Sequence, residues 1–125
     1  MVSAQSVRDG FAARAWSNWV ASPAAATGFL LHAAVMDTSI LGARRNLTMP
    51  GLSVTVGEMI EALGEVAGPE AVALIRREPD PAIRAIVAGW PRNFDPARAR
   101  ALGFVADASF PDIIRAHLRD SAAAG

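Results

Sequence analysis

The stretch RNLTMPGLSVTVGE, residues 45–58, decides the fold because it joins an extended segment to a capped helix. Residues 45–49 are predicted to form a short strand, which the Pro-Gly pair that follows would stop. Thr55 and Glu58 have the spacing of a capping box, in which each side chain satisfies the other residue's free backbone N–H. A helix is therefore predicted over Val56–Ala67. Its inner face would consist of Met59, Ile60, Leu63 and Val66.

The segment before this stretch is predicted to be an apolar helix. Ser22 supplies an N-cap hydroxyl and Pro23 suits the first helical position, so the helix is expected over residues 23–37. Residues 21–41 are the most apolar part of the chain, but polar side chains interrupt them, which favours a buried helix over a membrane span. Apolar residues at four-residue steps also indicate a helical face near the N-terminus: Val7, Phe11, Ala15 and Trp19.

Proline and capping residues divide the second half of the chain into short elements. Helices are predicted over residues 69–74, 82–88 and 110–121, and a further helix between Asp95 and Gly103. Residues 75–78 are expected to form a second strand. The tail, residues 122–125, is expected to fray. The residues predicted to point inward from the helix over 82–88 are Ile83, Ile86 and Val87.

Together these elements indicate an α/β chain, or more closely an α+β fragment, with five or six short helices and two or three short strands. Lone short strands do not make a stable sheet by themselves. They are therefore expected to be pieces of a sheet or ribbon that leans on another part of a protein.

Composition excludes several classes of function. The twelve basic residues are all Arg and balance twelve acidic residues, which argues against nucleic-acid binding and against a polybasic membrane contact. The sequence has no Lys and no Tyr, so lysine Schiff bases and tyrosine acid–base catalysis are closed to it. It has no Cys, which excludes disulfides and thiolate metal sites and is compatible with a cytoplasmic protein.

No motif in the sequence assembles a catalytic, cofactor or metal site. The glycines Gly51 and Gly57 lack the spacing of a nucleotide-binding loop. His32 and His117 lie on different predicted helices, so a metal site is not expected. A hydrolase that uses Ser22 with His32 is discounted because ten helical residues separate them by about 15 Å, and no GxSxG motif is present.

Two features could nevertheless contact a ligand. The pairs Arg44-Arg45 and Arg76-Arg77 could clamp an anion, with strand alternation turning one Arg of each pair inward, or they could be solvated pairs at a strand edge. Trp90, between a glycine and a proline, could stack on a ligand or fill the core, and the core is favoured.

The order of these motifs resembles the substrate lobe of the extended short-chain dehydrogenases, the NAD-dependent epimerase/dehydratase family. The more specific similarity is to the D-erythronate dehydrogenase branch. The motifs that carry it are WVASP (19–23), GFLLHA (28–33), the stretch 45–58, EPDPAI (78–83), GWP (89–91) and LGF (102–104). The resemblance implies a helix-rich C-terminal substrate lobe over residues 19–121, preceded by a poorly matched segment, residues 1–18.

What the resemblance implies about function is oxidation of a four-carbon sugar acid with NAD. In this family a Tyr-x-x-x-Lys pair performs the proton transfer and a glycine-rich Rossmann loop binds NAD. Both are missing here, so the Rossmann domain is expected to be absent and the chain to bind no cofactor alone. Ser22, Arg76 and Trp90 would line the sugar-acid pocket, with Arg76 pairing with the substrate carboxylate and Trp90 covering the sugar carbons.

The sequence departs from the family pattern at two positions near these residues. Ala24 stands where an Arg usually follows Ser-Pro in the family, and Arg77 stands where a Trp typically follows the residue matching Arg76.

The resemblance implies that the partners are a sugar acid, together with a missing Rossmann half or a second copy of the chain. The alternative is that the chain is a non-catalytic interaction domain that packs on a separate Rossmann chain.

Overall fold

The computed structural model describes residues 16–125. Among these residues helices dominate, with one small sheet, so the prediction of a helix-rich fold with short strands is confirmed. The strands are β1 (Ser17–Val20) and β2 (Leu52–Thr55). The α-helices are α1 (Pro23–Val35), α2 (Val56–Ala67), α3 (Pro69–Ala73), α4 (Pro81–Ala88), α5 (Ala97–Ala101) and α6 (Phe110–Ala124). A 3₁₀ turn, Thr38–Leu41, follows α1. No helix in the described part of the chain is long and apolar enough to cross a membrane.

The two strands pair in antiparallel register, with Ser17 opposite Thr55 and Val20 opposite Leu52. The ladder therefore uses residues 52–55, and the predicted strand at 45–49 is wrong, as is the one at 75–78. It also places Trp19 in a strand and not on a helical face; the other members of that predicted face lie outside the described residues.

Gly51 explains why the ladder begins where it does. A Cβ at this position would lie 2.7 Å from Trp19 Nε1 and 2.9 Å from the Val20 carbonyl oxygen, closer than real Cβ atoms approach. The missing side chain lets β1 pass directly beside the chain, where Trp19 Nε1 donates a hydrogen bond to the Met49 carbonyl at 3.3 Å. Pro50 and Gly51 are both buried in this contact. The Pro-Gly pair thus precedes the strand that forms, because the close approach of β1 requires a glycine there.

The predicted capping box of α2 is confirmed. The Thr55 N–H donates to Glu58 Oε2 at 2.7 Å, and the Glu58 N–H donates to Thr55 Oγ1 at 3.1 Å. The helix spans Val56–Ala67 as predicted, and Gly68, with φ of 86°, ends it. Ala62 is buried, and the four apolar residues of the predicted inner face are half-buried against α3 and α6.

The ends of two helices differ from the predictions. α1 begins at Pro23 as expected but ends at Val35, before the predicted residue 37. α6 continues to Ala124, so most of the tail that was expected to fray is helical.

Two helices expected to face a core are largely exposed. α1 has no buried residue, and its side chains Leu30, Leu31 and Val35 are 74%, 66% and 82% exposed. On α4, Ile83 and Ile86 are exposed as well. The predictions of a buried helix at 23–37 and of inward-pointing isoleucines are therefore wrong within this chain. The periodic apolar residues are present, but the described residues supply nothing that covers them.

The core that does form is small. Its buried apolar residues are Leu41, Val54, Ala62, Ala99 and Phe104. Phe104 makes edge-to-face contacts with Phe29, at 6.3 Å between ring centroids, and with His32, at 4.7 Å. These contacts join α1 to the segment that follows α5.

Arg98 on α5 organises the loop between the 3₁₀ turn and β2. Its guanidinium donates to the carbonyl oxygens of Arg44 and Leu41, both at 2.8 Å. One planar side chain thus satisfies backbone acceptors of a loop that has no regular structure of its own.

We expect Arg98→Ala to lower the free energy of unfolding by about 2 kcal/mol, because charge-assisted hydrogen bonds to two carbonyls are lost. Arg98→Lys should recover only part of this, since an ammonium does not match the fork geometry. Urea denaturation followed by circular dichroism measures both. Arg100→Ala, an exposed arginine on the same helix, is the control. Equal losses at Arg98 and Arg100 would contradict the proposed role of the guanidinium.

Candidate functional site

Ser22 lies in a closed set of hydrogen bonds at the start of α1. Its side chain is almost inaccessible, at 1% exposure. Its hydroxyl accepts from the Ala25 N–H at 3.0 Å, as expected of an N-cap, and donates to Asp107 Oδ1 at 2.5 Å. The Ser22 N–H donates to the other carboxylate oxygen of Asp107 at 2.8 Å. All the polar capacity of Ser22 at this end of α1 is therefore engaged within the chain.

Sequence reasoning found Ser22 but missed Asp107. The two residues are 85 positions apart, and no spacing rule connects them. The negative carboxylate also suits its place beside the first turn of α1, where free N–H groups and the helix dipole favour an anion.

His32 is half-buried at the edge of the core. Its Nε2 lies 2.7 Å from the Leu102 carbonyl oxygen, so the tautomer protonated at Nε2 donates a hydrogen bond there. Gly103, with φ of 92°, approaches the ring so closely that a Cβ would lie 3.1 Å from it. All three residues of the Leu-Gly-Phe motif, residues 102–104, thus contact this histidine. Within residues 16–125, no group of His, Asp and Glu could hold a metal ion.

Arg76 and Trp90 are on the surface and far less constrained than Ser22. Arg76 lies in an irregular segment and is 4.0 Å from Glu78, with both side chains strongly exposed. Trp90 follows α4 and is 55% exposed, so the prediction that it fills the core is wrong. Its segment is held in place nearby, because Ser53 Oγ donates to the Arg92 carbonyl at 2.9 Å. The indole ring is therefore exposed to solvent on a loop whose backbone is hydrogen-bonded to β2.

Of the two interpretations of the arginine pairs, the one in which a side chain turns inward is wrong, and the exposure of all four side chains fits the solvated alternative. Arg44 and Arg45 are both exposed, and so are Arg76 and Arg77, because neither segment forms a strand. Without a ladder there is no pleat to turn one side chain of each pair inward.

An open cleft of about 360 Å³ lies between β2, α2 and the start of α6. Glu58, Glu61, Glu65, Ser53 and Ser109 line it, and Ser22, Arg76 and Trp90 do not. Two of its carboxylates are already engaged, Glu58 by the capping box and Glu65 by Arg115 at 3.8 Å. A cleft lined by carboxylates repels an acid, so it is unsuited to bind a sugar acid.

Ser109 caps the start of α6, and the backbone N–H of Ser109 donates no return hydrogen bond to Asp112. The Asp112 N–H donates to Ser109 Oγ at 3.3 Å, while the hydroxyl donates to the Asp112 carboxylate at 2.9 Å. This hydrogen bond from Ser109, together with the guanidinium of Arg115, holds the pKa of Asp112 below its ordinary value. The arrangement stabilises the helix terminus and offers no free acid or base.

Comparison with known proteins gives a consistent answer. D-erythronate dehydrogenase of Cupriavidus necator is 42% identical to this chain over 103 residues, which are 82% of the chain and 32% of that enzyme. D-erythronate dehydrogenase of Haemophilus influenzae is 35% identical over 97 residues, 78% of the chain and 31% of the enzyme. No family model matches the chain.

A solved structure shares the fold as well. The nucleoside-diphosphate-sugar epimerase from Agrobacterium tumefaciens superimposes with a TM-score of 0.85 and 52% sequence identity. The match covers 90% of this chain and 33% of the epimerase chain, so this chain spans about one third of the length of its relatives. On both sequence and fold, the chain is thus similar to one third of two D-erythronate dehydrogenases and of a nucleoside-diphosphate-sugar epimerase, which is consistent with the extended short-chain dehydrogenase family of epimerases and dehydratases.

Proposed function

We propose that this chain is the C-terminal, substrate-side lobe of an NAD-dependent oxidoreductase that oxidises a hydroxyl group of a four-carbon sugar acid in the cytoplasm. The observation that carries the proposal is the match to one third of two D-erythronate dehydrogenases by a chain that has neither Tyr nor Lys. The catalytic pair and the cofactor loop expected for the family then lie outside this chain, in the same polypeptide or in another.

The described residues do not fit NAD. Backbone N–H groups that bind a pyrophosphate need a glycine turn that is open between a strand and a helix. Gly51 is instead pressed against Trp19, and Gly57 is buried in the first turn of α2. In this proposal NAD is a ligand of the assembled enzyme, and this chain supplies only residues that bind the substrate.

Arg76 and Trp90 are the residues we propose for the substrate. The ion pair of Arg76 with Glu78 is long and solvated, so it contributes little and can be exchanged for a substrate carboxylate. The exposed indole of Trp90 offers an apolar surface for the sugar carbons. Ser22 belongs to the proposed pocket as well, but its hydroxyl contacts a substrate only if Asp107 releases it.

The exposed apolar face of α1 favours one alternative, a non-catalytic domain that packs on a separate Rossmann chain. In both proposals the apolar face of α1 packs on a Rossmann domain. They differ in whether the resulting assembly oxidises a substrate.

A chimera tests the function directly. The chain replaces the matched 103 residues of the Cupriavidus necator enzyme, and NADH formation is followed with D-erythronate. We expect NAD-dependent oxidation by the chimera and no NAD binding by the isolated chain in calorimetry. A folded chimera without activity would favour the non-catalytic alternative, and tight NAD binding by the isolated chain would contradict the proposal.

Within the chimera, Arg76→Ala should raise KM about tenfold, because it removes a charge-assisted contact to the substrate carboxylate. Trp90→Ala should also raise KM. Arg77→Ala is the matched control, since it is the neighbouring residue and equally exposed. An unchanged KM for Arg76→Ala, or the same increase for Arg77→Ala, would remove Arg76 from the proposed pocket.

A further inference from the structure

The side chain of Trp90 is exposed, yet the backbone on both sides of it is fixed. Before it, the Trp90 N–H donates to the Val87 carbonyl oxygen at 3.0 Å, which ties the residue to the end of α4. After it, Pro91 has a fixed φ, and the Arg92 carbonyl oxygen accepts from Ser53 Oγ at 2.9 Å. The backbone of Trp90 therefore lies between two nearby anchors, and its indole ring, 55% exposed, is presented from a held loop.

The small sheet supplies the second anchor through a single cross-strand pair. Trp19 and Ser53 are directly opposite each other in the register of β1 and β2, and the side chains of such a pair lie on the same face of a sheet. The Trp19 ring contacts the Phe94 ring edge-to-face, with 5.7 Å between the ring centroids. Two side chains from one position of the sheet thus hold residues 92 and 94 of the segment that carries Trp90.

Of these two side chains, Ser53 is the one that can be changed with little effect on the fold. Trp19 takes part in the packing of the strands, because its Nε1 donates to the Met49 carbonyl oxygen at 3.3 Å and its ring lies against Gly51. Ser53 is exposed, and one hydrogen bond from an exposed hydroxyl contributes little to global stability. The support of the Trp90 loop can therefore be weakened at Ser53 without unfolding the sheet.

We propose that Ser53 is a positioning residue of the substrate site, which holds the loop of Trp90 in the conformation that covers the sugar carbons and does not itself touch the substrate. This inference rests on the proposed function, in which Trp90 contacts the carbon chain. A ligand that binds only the held conformation loses apparent affinity in proportion to the fraction of molecules that leave it. Removal of the Ser53 hydroxyl therefore weakens substrate binding and leaves the chemical step unchanged.

The test measures KM and kcat for D-erythronate in the chimera described above. Ser53→Ala should raise KM about two- to fivefold with kcat unchanged, because the loss of one exposed hydrogen bond shifts a loop equilibrium by about that factor. Ser53→Thr keeps the hydroxyl and should return KM to within about 1.5-fold of the parent chimera. Ser17→Ala is the matched control, since Ser17 lies two residues before Trp19 on the same face of β1, and it should leave KM unchanged.

A double-mutant cycle shows whether Ser53 acts through Trp90. In a chimera that already carries Trp90→Ala, Ser53→Ala should change KM by less than about 1.5-fold, because the side chain that the loop positions is gone. The same two- to fivefold increase in both backgrounds would overturn the proposal, since Ser53 would then act on the substrate or on the fold by another route. A lower kcat with an unchanged KM, or no recovery by Ser53→Thr, would overturn it as well.

The isolated chain provides a readout that does not depend on activity. Nitrogen-15 relaxation should give backbone order parameters of about 0.85 for Trp90, Arg92 and Phe94, and Ser53→Ala should lower them toward about 0.6, while Ser17→Ala leaves them unchanged. Unchanged order parameters in the Ser53→Ala chain would overturn the proposal whatever the chimera does. If the order is lost as expected but the chimera does not oxidise D-erythronate, the proposed function is contradicted and the role of Ser53 in holding the loop stands.

Discussion

Replacing Phe104 with alanine should lower the free energy of unfolding by about 3–4 kcal/mol, because a buried aromatic side chain is lost and a cavity remains. Phe104 is the largest of the buried apolar residues and contacts both Phe29 and His32. Its removal deletes the aromatic contacts between α1 and the segment that follows α5. Since a small domain is stable by only about 5–15 kcal/mol, this loss is a large fraction of the total, and we expect the variant to unfold at clearly lower urea concentration and temperature.

Urea denaturation and thermal melting followed by circular dichroism measure this effect. The control is Val105→Ala, since the neighbouring side chain is 75% exposed and its truncation should cost about 0.5 kcal/mol or less. Phe104→Leu retains much of the volume and should lie between the two. Similar losses for Phe104→Ala and Val105→Ala would show that the core is not where the structure places it.

Asp107→Ala should lower the free energy of unfolding by about 3 kcal/mol, because it leaves the buried N–H and hydroxyl of Ser22 without acceptors. Both hydrogen bonds are short, at 2.8 and 2.5 Å, and Ser22 is inaccessible to water that could replace them. Asp107→Asn keeps one carbonyl acceptor and should lose about half as much. The same denaturation measurements apply, with Asp120→Ala on the exposed side of α6 as the control.

A double-mutant cycle with Ser22→Ala separates this interaction from general damage. If the carboxylate acts through Ser22, the double variant should lose about 1–2 kcal/mol less unfolding free energy than the two single variants lose together. Strict additivity, or a loss at Asp107 no larger than at Asp120, would show that the contact does not hold the start of α1.

Local signals predicted the helices well. The start of α1 at Ser22-Pro23 and the capping box of α2 were read correctly from spacing alone. Each of these features depends on backbone groups within four residues of the side chain that satisfies them. Such local signals therefore predict helix starts correctly without knowledge of the tertiary contacts.

The strands were predicted poorly for the opposite reason. Residues 45–49 have strand composition, but β2 forms at Leu52–Thr55 because β1 pairs there and Gly51 admits Trp19. A strand needs a partner, and the partner lies more than thirty positions away in the sequence. The same limit explains why Asp107 and the carbonyl-binding role of Arg98 were not foreseen.

The amino-acid sequence by itself determined where the helices begin, which catalytic chemistries are closed to this chain, and the family that it resembles. Only the tertiary structure decided which strand pairs, where Ser22 directs its hydroxyl, and which apolar residues are covered. The apolar composition of α1 shows that it is suited to burial, but burial requires a second surface. That surface is not among the described residues, so the apolar face of α1 remains exposed.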